Sequence, residues 1–142
     1  MINMPHQITI NATPEKVYEA LTTTEGIKSW WTTDAKVEHE VGSVAEFGFY
    51  NRKAVFLMHI DQLEQGKLVE WTAQHDMPGW KGTKIRFELN ANDNGDTILN
   101  FNHSGWDSME GGYPMINTTW GSLMYILKNY VEGKNPEVWH QS

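Results

Sequence analysis

The chain has 142 residues, a length that fits one domain and leaves little room for a second. It is 39% hydrophobic and 12% aromatic, with seven Trp, which is too much apolar material for a disordered chain. Eleven Lys and Arg against 18 Asp and Glu give a net charge of −7, which argues against nucleic acid and anionic membrane surfaces as partners, and the lack of Cys excludes disulfides, thiolate chemistry and Cys-ligated zinc.

From the N-terminus, Met1 to Gln7 has neither a basic n-region nor an apolar h-region, so no secretory signal and a cytoplasmic location are expected. No run approaches the roughly 20 apolar residues of a membrane span, so no membrane insertion is expected. Gln7 to Ile10 reads as a short strand. Thr13 is a good N-cap, Pro14 at the first helical position loses nothing by lacking an N–H, and Glu15 suits the positive helix end. Val17, Ala20 and Leu21 then recur at helical spacing, and a second short helix carries Ile27, Trp30 and Trp31 at i, i+3 and i+4.

The middle of the chain alternates. Ala45, Phe47 and Phe49 share one parity of Ala45 to Phe49. Ala54, Phe56, Met58 and Ile60 do so in Lys53 to Glu64, and Val69, Trp71, Ala73 and His75 in Leu68 to His75. Ile85, Phe87 and Leu89 oppose Lys84, Arg86 and Glu88, and Leu99, Phe101 and His103 oppose Asn100 and Asn102. Period-two patterning over successive segments predicts an antiparallel sheet with one covered face. Turn signals at Asn51-Arg52, Gln65-Gly66 and Asn92 to Asp96 predict a meander of sequential neighbours.

Pro114 opens a helical stretch to about Glu132, with Gly133 as the C′ stop. Ile116, Trp120, Leu123, Leu127, Tyr130 and Val131 form one stripe, and Thr118, Ser122, Tyr125, Asn129 and Glu132 lie opposite. A long amphipathic helix has to bury one face, and the sheet is the large apolar surface available. The fold class is therefore α+β in one domain spanning 1–142: a curved antiparallel sheet wrapped around a long C-terminal helix, with two short helices after the first strand.

A twisted sheet of long strands curls, and a helix about 10 Å across does not fill its concave face. The covered face is unusually aromatic: Phe47, Phe49, Phe56, Trp71, Phe87 and Phe101 point the same way by parity, and Trp120 and Met124 face them. Rings with a few polar groups line small-molecule pockets, and they also fill solid cores; the residues leave both open.

At this point four segments resemble a known family. Ile8 to Leu21 is similar to its opening strand and helix, Ile27-Lys28-Ser29-Trp30-Trp31 to its second helix, and Lys67 to Thr72 to a central strand. Gly105-Trp106 followed by Trp120-Gly121-Ser122-Leu123 is similar to its C-terminal helix. The chain is identified as a member of the START-like (SRPBCC) helix-grip superfamily, in the group that resembles the C-terminal domain of the activator of Hsp90 ATPase. The resemblance implies the helix-grip fold and a deep cavity between sheet and C-terminal helix. It also implies relatives among lipid carriers, polyketide cyclases and hormone receptors. The co-chaperones carry an additional Hsp90-binding domain, which this sequence does not show.

The ligand-lining set expected from these readings is Trp30, Phe47, Phe49, Phe56, Met58, Trp71, His75, Phe87, Phe101, His103, Trp120 and Met124. His75 and His103 are able to exchange a hydrogen bond or a proton with a ligand, or to sit hydrogen-bonded near a strand end. The six His show no H-x-x-x-H or H-E-x-x-H spacing, so no metal is expected, nor any cofactor or catalytic set. Gly79-Trp80-Lys81-Gly82 lacks the Lys-Ser/Thr ending of a phosphate loop and reads as a strand connection. Trp30 and Trp31 cover a cavity mouth or plug the short helix onto the sheet. Asp107 to Tyr113 is a Gly-rich loop, lid or ordinary connection. Thr119 faces a ligand or bonds back to its own helix. Val55 and Leu57 on the outer parity are scattered apolars or a homodimer patch. The leading expectation is a non-catalytic binding or carrier domain for an apolar or aromatic small molecule, lipid-like or polyketide-like. The alternatives are a cyclase or dehydratase using a pocket His, and an Hsp90-type chaperone partner.

Overall fold

The alternating runs pair in a single antiparallel sheet in the computed structural model, which describes residues Met1–Ser142. The elements are β1 (Pro5–Ile10), α1 (Pro14–Thr22), α2 (Thr24–Trp30), β2 (Asp34–Lys36), β3 (Val44–Phe49), β4 (Ala54–Glu64), β5 (Leu68–Ala73), β6 (Lys84–Ala91), β7 (Thr97–Ser104) and α3 (Tyr113–Val131). The strand order is β1-β7-β6-β5-β4-β3-β2. Strands β2 to β7 are a meander, whereas β1 pairs with β7. Consecutive strands β1 and β2 thus occupy opposite edges, and α1 and α2 carry the chain between them. Helix α3 returns against β1, α1 and α2. No helix is long and apolar enough to cross a membrane.

Local chemistry sets the boundaries. The Thr13 hydroxyl accepts from the Lys16 amide and Pro14 opens α1, as its sequence predicts. Thr23 caps α2 in the same way, accepting from the Gly26 amide at 2.9 Å. The Asn92 side chain accepts from the Asn94 and Asp96 amides, and Gly95 at φ 81° completes the β6–β7 turn. Gly133, at φ 81°, stops α3.

Two features depart from the periodic reading. Strand β2 is only three residues long, and its Asp34-Ala35-Lys36 carries no apolar alternation. In β4 the register shifts between Ile60 and Gln62. This bulge at Asp61 moves Leu63 onto the covered side opposite Val69, where strict alternation would have placed Gln62.

Twenty-nine buried side chains form one cluster between the sheet and the helices. Helix α3 contributes Trp120, Leu123, Met124 and Leu127 to it. Its C-terminal end is fixed to β1: Lys128 donates to the Thr9 carbonyl at 2.8 Å, and Glu132 accepts from the Asn11 amide at 2.8 Å and from Lys128 at 2.6 Å. These donors hold the Glu132 carboxyl down at about 2 against the opposing effect of its burial.

Helix α2 packs its Gly26 against the α1 backbone, where a Cβ would lie 2.6 Å from the Ala20 carbonyl oxygen and 2.7 Å from its Cα. Both are backbone atoms and have no rotamer to move into. Gly26→Ala is therefore expected to lower unfolding free energy by about 2 kcal/mol or more, as overpacking does. Gly112→Ala has open space around it and an ordinary φ of −77°, and is expected to change stability by less than about 0.5 kcal/mol. Urea titrations of both variants check the contrast.

Candidate functional site: the aromatic interior and its two histidines

The sheet, α2 and α3 converge on Trp31. Its ring lies 4.7 Å from Phe47, 5.3 Å from Trp120, 5.7 Å from Trp30, 6.1 Å from Phe49, 6.3 Å from Phe56 and 6.4 Å from Trp71, centroid to centroid. Trp120 in turn meets Phe101 at 4.5 Å and Phe87 at 6.3 Å. Of the expected lining set, Phe47, Phe49, Phe56, Trp71, Phe87, Phe101 and Trp120 are all in this ring cluster. Met58 and Met124 are buried in the same core. Trp30 differs: it stacks on Trp31 and donates its indole N–H to the Ala20 carbonyl at 2.9 Å, which ties α2 to α1.

The space between sheet and α3 is closed. Trp30, Phe47, Met58, Phe87 and His103 offer no surface to a water-sized sphere, whether in outer solvent or in an internal void. Trp31, from the end of α2, and Trp80, from the β5–β6 connection, occupy space that the width of one helix alone leaves empty. A hollow of about 730 Å³ lies elsewhere, beside Asn3, Gln7, Arg86, Asn100 and Asn102.

Trp80 occupies the end of the interior near the two histidines. Its ring lies 5.1 Å from His75, 4.7 Å from His103, 5.1 Å from Phe56, 6.2 Å from Trp106 and 6.4 Å from Trp120. His103 is fully satisfied. The Trp120 indole N–H donates to its Nδ1 at 3.1 Å, so the ring proton sits on Nε2 and donates to Thr83 Oγ1 at 2.7 Å. The Thr83 hydroxyl then donates to the Trp80 carbonyl at 2.5 Å. Burial, with a smaller contribution from nearby His75, pushes the His103 pKa down to about 3, so the ring is neutral near pH 7.

His75 lies just past the end of β5 and stacks on Phe56 at 4.4 Å with 7° between planes. The Leu57 carbonyl already receives the Gln74 amide at 2.8 Å, and the Leu57 N–H points at His75 Nδ1 at 3.3 Å. Nδ1 also lies 3.4 Å from that carbonyl, so the contacts with the Leu57 backbone engage Nδ1 and leave Nε2 out. That Nε2 is buried without a partner, as is Trp106 Nε1. Burial also lowers the pKa of His75.

Trp31, Trp80, Trp106 and Thr83 complete this site but were not in the expected lining set. Trp80 and Trp106 sit in connections, where no periodicity marks a side chain as inward. Thr119 bonds back to the Met115 carbonyl of its own helix. The His–carboxylate contact in the molecule is elsewhere, between His59 Nδ1 and Asp61 at 2.6 Å, at the β4 bulge. No three His, Asp or Glu side chains gather as metal ligands.

Residues 11–132 match the family model described as activator of Hsp90 ATPase homolog 1-like protein. The chain belongs to that family. The Aha1 dimer from Colwellia psychrerythraea is 35% identical, with a TM-score of 0.87 over 96% of this chain and 100% of that one. Protein MLL2253 from Mesorhizobium loti is 19% identical (TM-score 0.80, 95% and 99% covered). The AHSA1-like protein from Aeromonas hydrophila is 16% identical (TM-score 0.73, 94% of each chain covered). The last two show the fold alone. No curated protein matches. In this member of the activator family the helix-grip fold is of a kind suited to ligand binding, with the interior between sheet and α3 closed over rings.

The buried neutral histidines have a measurable consequence. A His with a depressed folded pKa binds its proton more readily when unfolded, so stability falls as pH drops from about 6.5 towards about 3. Each such group contributes a slope of up to about 1.4 kcal/mol per pH unit inside that window. His103→Gln preserves an acceptor for Trp120 and a donor for Thr83 without titrating. Urea midpoints measured between pH 7 and 4 are expected to show a shallower decline in the variant than in the wild type.

Proposed function

We propose that the chain is a non-catalytic binding domain for a small, largely apolar molecule held between the sheet and α3. The observation that carries this reading is the composition of the interior. Rings from β3, β4, β5, β6, β7, α2 and α3 meet there, and next to them two buried nitrogens, His75 Nε2 and Trp106 Nε1, lack partners. A core selected for stability alone would satisfy such groups, because an unmade buried hydrogen bond costs about 1–3 kcal/mol. A ligand carrying a polar group among apolar atoms would supply what is missing. His103 supports binding rather than acid–base chemistry, since both its nitrogens are engaged within the chain and it is neutral near pH 7.

The test is a thermal-shift and native-mass screen of fatty acids, polyketide-like aromatics and simple bicyclic aromatics. Binding in the interior is expected to raise Tm and to be weakened at least tenfold by Phe101→Ala or Met124→Ala in a folded variant. If no library member binds the wild type, the reading is rejected.

A second reading concerns the partner. The Colwellia relative is a dimer, and we infer that this chain also self-associates, through the outer face of α3. From Tyr113 to Leu127 that helix has no charged residue, while Met115 is 75% and Tyr125 63% exposed. Two copies that each carry a charge of −7 repel least where such a face meets its own copy. Sedimentation velocity is expected to show a dimer that Tyr125→Glu dissociates and that Leu57→Glu, on the outer sheet face, leaves intact. A wild type that stays monomeric at high micromolar concentration refutes it.

A further inference from the structure

Resting on the binding reading above, we propose that Trp80 is a displaceable plug. The site it fills takes a neutral, planar aromatic of about indole size that carries a hydrogen-bond acceptor such as a carbonyl.

Three observations converge. First, Trp80 lies between Gly79 and Gly82, both at φ +85°, a backbone conformation that L side chains rarely adopt. These two residues bracket a short segment that changes direction at little cost. Second, Trp80 is only 3% exposed, and its indole N–H donates to no group in the chain and is not among the buried unpartnered nitrogens, so it reaches solvent. Trp30 and Trp120, by contrast, are each tied by their indole N–H to a fixed acceptor. Ring contact alone holds the Trp80 side chain, and its neighbours Phe56, His75, His103, Trp106 and Trp120 are the rings a flat guest would stack on. Third, the unpartnered atoms flank this ring. His75 Nε2 and Trp106 Nε1 are buried without partners, and an indole nitrogen is always a donor. Trp106 therefore presents an N–H with no acceptor.

The Trp106 donor without an acceptor specifies the guest. It needs an acceptor, and a hydrocarbon of the same shape leaves that donor unmet. It is neutral, because His75 is itself neutral and a buried carboxylate would find no cation beside these rings. It is flat and bicyclic, because it replaces an indole among rings. The Thr83–His103–Trp120 chain ends on the Trp80 backbone carbonyl, so it keeps the far end of the connection anchored while the side chain leaves.

The experiment uses 1-indanone and indane, near-isosteres that differ in the acceptor, on the full chain. In Trp80→Ala, 1-indanone is expected to raise Tm and to bind about tenfold tighter than indane, the scale set by one satisfied buried hydrogen bond. In the wild type, labelled with 5-fluorotryptophan and assigned through Trp80→Phe, saturating 1-indanone is expected to move the Trp80 fluorine resonance to a solvent-exposed position. Its affinity should be lower than in Trp80→Ala by the cost of displacement. Equal affinity for the two probes overturns the acceptor requirement. Wild-type binding with the Trp80 resonance unmoved overturns the plug and leaves the binding reading intact, whereas a wild type that binds nothing in the wider screen removes that reading itself. Binding to Trp80→Ala but not to wild type also overturns displacement. If Trp80→Ala does not fold, as judged by circular dichroism, the fluorine measurement on the wild type decides alone.

Discussion

Trp31 is the point at which the layers of this fold meet. It ends α2, and its ring contacts rings from α2, β3, β4, β5 and α3. Its backbone carbonyl receives the His140 amide at 2.8 Å, and the His140 carbonyl in turn receives the Thr33 amide at 3.1 Å. One residue thereby fixes where the second helix stops, where β2 begins and how the C-terminal tail returns. Rings of this size bury large apolar areas and stack with specific geometry, so their mutual positions leave few alternatives for the sheet curvature around them.

The polar thread through the core is equally specific. Trp120, His103, Thr83 and the Trp80 carbonyl form a directed chain in which every donor has one acceptor. It links α3, β7 and the β5–β6 connection without placing a charge in the interior. Deleting one member would strand another in a dry environment, which is why such networks constrain a core more than apolar contacts of equal area do. The contrast with His75 and Trp106 is therefore informative. The same end of the molecule contains one network satisfied to the last atom and two ring nitrogens without partners.

Much of this architecture was legible in the sequence. The parity of Phe47, Phe87 and Phe101, the Thr13-Pro14 start and the Gly133 stop all follow rules that act over a few residues, and the structure obeys them. The missed features depend on distant parts of the chain. Strand β2 exists because an edge opposite β3 is free and not because Asp34-Ala35-Lys36 favours a strand. The bulge at Asp61 resolves a conflict between Ile60 and Leu63, both apolar and three residues apart, that alternation alone does not settle. Trp80 and Trp106 point inward from connections, and only the assembled sheet brings them to the histidines. The filled interior has the same origin, for the space beside α3 is occupied by residues whose destination no local pattern records.

A closed interior and a binding role are compatible when closure is achieved by a side chain that lacks its own polar anchor. A guest then competes with that side chain and not with the whole core. The cost of opening is limited to the ring contacts it loses, and part of that cost is returned by hydrogen bonds the closed form never makes. His75 Nε2 and Trp106 Nε1 lie unpartnered beside Trp80, whose own N–H has no acceptor in the chain, whereas Trp30 and Trp120 are each tied by theirs; a third unpartnered nitrogen, His6 Nε2, sits against Phe101.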